Sequence, residues 1–93
     1  MYYFYAPNAF TPNNDTKNDS FKTFVTGADD FEIYIFDRFG KQVFYSTDSN
    51  EVWDGTYSNT TNAAQGLYTY RAKMKKPNEK GYYQEIGNIN LIR

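Results

Sequence analysis

Apolar and polar residues alternate at every second position along several short segments, which is typical of β-strands. The clearest segment is 67–76, where one face is aromatic or apolar and the other is polar or basic. The first face carries Tyr68, Tyr70, Ala72 and Met74, and the second carries Thr69, Arg71, Lys73 and Lys75. Apolar residues do not recur at helical spacing over several turns, so the sequence predicts no helix.

Five further segments predict strands at 2–6, 20–25, 31–37, 41–46 and 82–92, and a seventh strand is expected within 53–57. Arg38-Phe39-Gly40 separates two of them and predicts a hairpin in which Gly40 takes a positive φ. Ile89 and Leu91 share one face of the last strand. Short strands with frequent turns predict an all-β fold, an Ig-like antiparallel β-sandwich of about seven strands in two sheets.

Two long loops are expected, at 7–19 and 47–66, and the first is rich in Asn and Asp. Asn13, Asn14, Asp15, Asn18 and Asp19 offer the oxygen ligands that calcium prefers. Their spacing does not fit an EF-hand, so a loop whose side chains cap backbone N–H groups is the favoured interpretation. If an ion binds, we expect Asp15 and Asp19 as ligands; no other cofactor is predicted.

Composition narrows the possible functions. The chain has 93 residues, with ten Tyr, eight Phe and one Trp but neither His nor Cys. These absences exclude His-based triads, thiol nucleophiles and disulfides. A net charge of −1 gives no electrostatic case for nucleic-acid binding. No run of residues is long and apolar enough to span a membrane, and we expect no signal peptide within this sequence. We therefore expect a domain that is not an enzyme.

Two motifs have structural and functional interpretations. Trp53 in Trp53-Asp54-Gly55 could anchor a partner, but we favour a buried Trp, with Asp54 accepting backbone N–H groups and Gly55 in a turn. Arg38 is expected to stack on an aromatic ring or to pair with a carboxylate such as Asp54. No nucleophile–base pair lies near Arg38 in the sequence, so no catalytic role is predicted.

Two further features suggest docking surfaces. The basic row Arg71, Lys73 and Lys75, extended by Lys76 and Lys80, is either a solvated strand face or a stripe for an acidic partner. The chain ends in the strand that carries Ile89, Leu91, Ile92 and Arg93. This segment either completes the core or is bound by a partner. We hypothesise that 86–93 and the nearby loops form the docking surface.

Five segments, taken in order, resemble a known family. They are FYAPNAFTPNNDTKNDSF at 4–21, IFDRFGKQVF at 35–44, VWDG at 52–55, GLYTY at 66–70 and GNINLIR at 87–93. Together they are similar to the gliding-motility-associated C-terminal domain, the type B C-terminal domain of type IX secretion substrates. The residues that carry the resemblance are Pro7, Asn8, Phe10, Pro12, Asn18, Asp19, Arg38, Gly40, Trp53, Asp54, Gly55, Gly66, Tyr68, Tyr70 and Gly87. The chain departs from the family at Asp15-Thr16, usually Asp-Gly, and at Phe39, often Trp.

The resemblance implies a C-terminal secretion signal. It would direct a large surface protein, such as the SprB-like gliding adhesins of Bacteroidetes, through the periplasm and the type IX machinery to the cell surface or extracellular space. The implied partner is an outer-membrane protein of the PorP/SprF family. Residues 1–93 would then form one sorting domain, with Met1 an added start before a fragment of a longer protein. An adhesive or carbohydrate-binding module, using Tyr34, Tyr45, Tyr57 and Tyr82, is the alternative function.

Overall fold

The computed structural model describes residues 2–12, 20–57, 61–76 and 80–92. These ranges contain nine β-strands and no helix. The strands are β1 (Tyr3–Tyr5), β2 (Ala9–Phe10), β3 (Phe24–Thr26), β4 (Asp29–Phe36), β5 (Gln42–Ser46), β6 (Thr56–Tyr57), β7 (Thr61–Asn62), β8 (Gly66–Lys75) and β9 (Tyr83–Leu91). The all-β prediction is confirmed.

The largest sheet has five strands in the order β2-β9-β8-β4-β5. Strands β4, β5, β8 and β9 pair antiparallel, and the β8–β9 register runs without interruption from Gly66↔Leu91 to Met74↔Tyr83. The predicted hairpin is confirmed between β4 and β5, where Gly40 has a φ of 82°. Asp37 closes this hairpin by accepting the backbone N–H groups of Phe39 and Lys41, each at 2.9 Å.

Smaller strand pairs lie across one face of this sheet, as an Ig-like sandwich requires. Strand β1 pairs antiparallel with β3, and β6 pairs antiparallel with β7. The ring of Phe4 in β1 lies 6.1 Å from the Tyr70 ring in β8. Phe21 forms an isolated antiparallel bridge with Trp53, and its ring lies 5.9 Å from Tyr70.

The core lies between these layers and draws on both halves of the chain. Alternation along β4, β8 and β9 buries Ile33, Ile35, Ala72, Met74, Ile89 and Leu91. Four large aromatic side chains complete the core: Phe10, Phe21, Trp53 and Tyr68. Aromatic rings bury a large area per residue, so this small domain has a dense core with few aliphatic residues.

Strand β2 differs from the expectation. Residues 7–19 were expected to form a loop, but Ala9 and Phe10 pair parallel with Asn90 and Leu91 of β9. A strand of two residues is too short to show alternation, and its parallel direction departs from the wholly antiparallel sandwich predicted. Burial of the Phe10 side chain, rather than strand propensity, explains why this segment joins the sheet.

Two other predicted boundaries also change. The segment 20–25 is divided, because Phe21 makes the bridge to Trp53 while β3 begins only at Phe24. Phe21 is buried and Phe24 is exposed, so their side chains have different surroundings. The loop expected over 47–66 contains the short β6–β7 pair, and the strand expected within 53–57 is reduced to Thr56–Tyr57.

Candidate docking surface

Trp53 closes one end of the sandwich. Its side chain is 1 % exposed, and its ring lies 5.4 Å from Phe10 and 5.1 Å from Tyr68. The indole Nε1 donates to the carbonyl of Thr56 at 3.0 Å. Backbone hydrogen bonds to Phe21 in both directions, 2.8 and 3.0 Å long, fix its position. The prediction of a buried Trp is confirmed, and the indole is not available as a surface anchor.

Asp54 and Gly55 form the turn that follows Trp53. The Asp54 Oδ1 atom accepts the backbone N–H of Thr56 at 3.1 Å and the Thr56 hydroxyl at 2.6 Å. Gly55 has a φ of 84°, a conformation that a residue with a side chain rarely adopts. Its carbonyl accepts the N–H of Ala63 at 2.8 Å, which joins the turn to the chain after β7. The motif Trp53-Asp54-Gly55 is therefore structural, as predicted.

Arg38 lies at the tip of the β4–β5 hairpin and is exposed. Of the two predicted contacts, the structure shows stacking, with Cζ 4.9 Å from the centroid of the Phe39 ring. The Asp54 carboxylate bonds to Thr56, so stacking is the predicted Arg38 contact that the structure shows. A cavity of about 110 Å³ beside Arg38 is smaller than the roughly 300–1,000 Å³ of small-molecule sites.

No metal site emerges from the part of the chain that is described. Across residues 2–12, 20–57, 61–76 and 80–92, no three His, Cys, Asp or Glu side chains come together as a ligand set. The calcium candidates Asp15 and Asp19 lie outside the described residues, together with Asn18. Calcium binding therefore stays a prediction.

The basic row of β8 lies on the outer face of the five-stranded sheet. Arg71 is flanked by Tyr34 on β4 and Ile86 on β9, and Lys73 is flanked by Glu32 and Gln84. Lys75 is paired with Asp29 of β4. The two lysines therefore have carboxylates as cross-strand neighbours on β4, whereas both cross-strand neighbours of Arg71 are uncharged.

Aromatic rings accompany these cations. The Arg71 guanidinium lies 5.4 Å from the Tyr34 ring centroid and 5.9 Å from that of Phe36. Lys73 Nζ lies 4.7 Å from the Tyr82 ring and Lys75 Nζ 5.8 Å from the same ring. Cation–π contacts of this kind hold the long side chains against the sheet. The outer face is consequently an ordered mixture of cations and rings.

Tyr34 is the centre of the aromatic part of this face. Its ring lies 4.9 Å from Tyr45 on β5 and is nearly parallel to Phe36, with an interplanar angle of 10°. The Tyr34 hydroxyl donates to Glu32 Oε1 at 2.7 Å. This hydrogen bond to a carboxylate is the main cause that raises the pKa of Tyr34 above its ordinary value.

Tyr2 connects the start of the chain to the last strand. Its hydroxyl donates to Glu85 Oε2 at 2.8 Å, and Lys76 Nζ lies 4.3 Å from its ring. Burial, followed by the hydrogen bond and the charge of Glu85, raises the pKa of Tyr2 to about 12. Lys76 also contacts the Tyr83 ring at 4.0 Å, so it takes part in this cluster, whereas Lys80 is exposed.

Gly87 makes room for an aromatic ring. A Cβ atom at this position would lie 2.6 Å from Cε2 and from the hydroxyl oxygen of Tyr70, its cross-strand partner. Burial, with the charge of Glu85 as the second cause, raises the pKa of Tyr70. Gly87 thus allows the Tyr70 ring to cover β9 and to contact Phe4 and Phe21.

The C-terminal docking candidates occupy different surroundings. Ile89 and Leu91 are fully buried, so their side chains complete the core. Ile92 is 46 % exposed, whereas Arg93 lies outside the described residues. Ile86 is 65 % exposed on the outer face. The side chain of Ile86, rather than those of Ile89 and Leu91, is therefore accessible to a partner.

Sequence reasoning missed Gln84 and Phe36 as components of this outer face. The alternation of 82–92 already places Gln84 on the same face of the strand as Ile86, and on the other face from the buried Ile89. Gln84 could therefore have been assigned to the outer face from the sequence. Phe36 was assigned to a strand without a role, because only the three-dimensional pairing brings its ring beneath Arg71.

A family model described as CHU_C Type IX secretion signal domain matches residues 4–89. The chain belongs to this family. The match extends from within β1 into β9 and includes the Trp53 turn and the Gly87–Tyr70 contact. Secretion signal domains are not a family of enzymes. No curated protein matches this CHU_C chain. Its described ranges contain no helix long and apolar enough to cross a membrane.

Membership of this family establishes the general role of the domain. A type IX secretion signal directs its protein to the cell surface or extracellular space and interacts with the secretion machinery. The outer face and the exposed side of β9 are the candidate surfaces for that interaction, because the opposite face of the large sheet is occupied by the core.

Proposed function

We propose that this domain is the C-terminal sorting signal of a larger cell-surface protein and that the type IX machinery recognises it as a folded unit. The observation that carries this proposal is the family match over residues 4–89, which covers nearly all of the described fold. The passenger, on this proposal, is a gliding adhesin that passes through the periplasm, and the receiving partner is an outer-membrane protein of the PorP/SprF family.

The location of the family-like residues supports recognition of a folded shape. Trp53 is buried, Gly40 and Gly55 hold turns at positive φ, and Gly87 accommodates the Tyr70 ring. Each of these residues maintains the fold and presents little chemistry to a partner. A signal composed of such residues can be recognised only when the domain is folded, since an extended peptide would not preserve their arrangement.

A reporter fusion tests the proposed function. We expect a fluorescent protein that carries an N-terminal export signal and this domain at its C-terminus to be released by a type IX-competent gliding bacterium. An otherwise identical translocon-deficient strain should retain it in the periplasm. A reporter without the domain is the matched control. Equal release with and without the domain, or release from the translocon-deficient strain, would show that the domain is not the signal.

The C-terminal part of the docking hypothesis needs a variant that spares the core. Deleting 91–93 also removes Leu91, which is fully buried, so lost export would not distinguish docking from misfolding. Removal of Ile92 and Arg93 alone leaves Leu91 in place. Lower export of this shorter protein with an unchanged unfolding midpoint is the result expected if the terminal residues dock.

Carbohydrate binding is the second candidate, supported by the aromatic side chains of the outer face. Tyr34 and Tyr45 are adjacent, but Arg71 lies near the Tyr34 and Phe36 rings that a sugar would stack on. Of the other two candidate tyrosines, Tyr57 contacts Lys41 and Tyr82 contacts Lys73. Glycan binding by the isolated domain that is lost in Tyr45→Ala would favour this function.

A further inference from the structure

Among the residues that the structure describes, the backbone of β9 is only partly paired on one of its two sides. Near the C-terminal end of β9, the N–H groups of Asn90 and Ile92 point away from β8 and bond to the carbonyls of Asn8 and Phe10 at 2.8 and 3.0 Å. Backbone groups alternate in direction along a strand, so those of Gln84, Ile86 and Asn88 point the same way. We call residues 84–88 the open edge of β9.

Strand β2 covers only the end of this edge. Among the described residues, its pairs Ala9↔Asn90 and Phe10↔Leu91 are the only strand pairing on the side of β9 away from β8. Pro7 precedes β2 and has no N–H group to donate. The chain before Pro7 belongs to β1, which pairs with β3 in the other layer. Within residues 2–12, the chain therefore joins the large sheet only at Ala9 and does not pair with the open edge.

The open edge lacks most of the features that protect edge strands. Its register against β8 has no bulge, and residues 84–88 contain neither Lys nor Pro. Its single charge, Glu85, points inward, which is one protective feature, but this carboxylate already accepts the Tyr2 hydroxyl. At the opposite edge of the sheet, the β4–β5 pairing is interrupted between Ile35 and Phe36. Only the β9 edge is long and regular among the strands described.

We propose that an extended segment of the secretion machinery adds to the open edge as a strand in line with β2; this rests on the proposed function. A row of outward N–H and C=O groups at alternate residues matches another β-strand, whereas a helix leaves its backbone groups internally bonded. The same geometry explains how the machinery can use the chain's last strand although its Ile89 and Leu91 side chains are buried.

The outer face specifies the side chains that this segment should carry. A residue opposite Ile86 lies beside an apolar, highly exposed side chain, so an apolar partner residue is expected there. Arg71 is the next residue across the sheet, and its cross-strand neighbours Tyr34 and Ile86 are uncharged. An acidic residue near the Ile86 position would therefore complement Arg71. A second copy of this chain would present Gln84, Ile86 and Asn88 on the same face, and none of them is the acidic residue that would complement Arg71.

The test replaces an outward N–H group with a proline ring. Ile86→Pro and Asn88→Pro each remove one donor that faces away from β8, and proline is tolerated in edge strands where its N faces solvent. We expect export of the fusion reporter to fall at least about tenfold, because each variant removes a hydrogen bond and its ring blocks the approach of a strand. Ile86→Thr and Asn88→Thr keep the N–H groups and are expected to retain most of the export.

Circular dichroism and thermal unfolding establish whether each purified variant is folded. Normal export with a folded Ile86→Pro or Asn88→Pro variant would overturn strand addition while leaving the sorting function intact. If the wild-type reporter itself is not exported, the proposed sorting function is refuted, and strand addition, which rests on it, is refuted with it. These two failures are therefore distinguishable.

Amide hydrogen exchange tests the same proposal without any substitution. In the isolated domain, the amides of residues 84, 86 and 88 should exchange much faster than those of 85, 87 and 89, which bond to β8. Protection of 84, 86 and 88 in a monomer would mean that the edge is already occupied and would overturn the proposal. Protection that appears only in a dimer, measured by light scattering, would assign the edge to a second copy instead.

Discussion

Tyr2 shows how a single residue can connect the two ends of the chain. Its hydroxyl bonds to Glu85, so burial and the neighbouring carboxylate favour the neutral phenol in the folded state. The folded-state pKa of about 12 exceeds the ordinary value of 10, so the contribution of Tyr2 to stability is complete below pH 10. This contribution is lost as the pH rises through 12.

We therefore expect the unfolding midpoint in urea to fall between pH 10 and pH 12, and to fall less steeply in Tyr2→Phe, which cannot ionise. Glu85→Gln is the matched variant, because it removes the negative charge while keeping an acceptor. It should bring the pKa of Tyr2 closer to its ordinary value in an ultraviolet titration. The same pH dependence in wild type and Tyr2→Phe would contradict this role.

Among the strands, the pairing of β8 with β9 depends on a glycine. Because a Cβ atom at position 87 would meet the Tyr70 ring at 2.6 Å, we expect Gly87→Ala to lower the free energy of unfolding by about 1–3 kcal/mol. Urea unfolding measures this change. Asn88→Ala, on the exposed face, should change stability by no more than about 0.5 kcal/mol.

A double-mutant cycle isolates the cause of this destabilisation. If the Tyr70 ring is responsible, Gly87→Ala should cost little in a protein that already carries Tyr70→Ala. Additive losses would instead indicate that the backbone at position 87 requires glycine for another reason.

The strands that could be predicted from the sequence are those long enough to show alternation. Segment 67–76 displays four apolar positions on one face, and β8 follows it closely from Gly66 to Lys75. Strand β2 has only two residues, and its place in the sheet depends on the packing of Phe10 against Trp53, which is far away in the sequence. Long-range packing of this kind leaves no local pattern.

The candidate site was predictable to a similar extent. The basic row and the last strand were found from their spacing, and both lie where the alternation places them. The open edge of β9 was not, because an edge is defined by the absence of a neighbouring strand. That property depends on where β1 and β2 lie, and the sequence of 84–88 alone does not contain it.

For the whole molecule, the decisive question is whether the secretion machinery recognises a fold or a linear segment. Phe10 is 2 % exposed and packs against Trp53 and Phe21, so Phe10→Ala should cost about 3–5 kcal/mol. A domain of this size is stable by roughly 5–14 kcal/mol, so the loss removes a large part of the stability and unfolds the domain when its stability is at the lower end of this range. Phe39→Ala is the matched control, because Phe39 is 80 % exposed.

Recognition of the fold predicts that Phe10→Ala lowers reporter export in step with its loss of stability, whereas Phe39→Ala is exported normally. Both variants retain residues 84–93, so a linear signal at the C-terminus would be exported equally well from either. Export of an unfolded Phe10→Ala protein at the wild-type level would therefore refute recognition of the folded domain. Reduced export of a stable Phe39→Ala protein would instead place a contact with the machinery at the β4–β5 hairpin, on the side of the sheet away from β9.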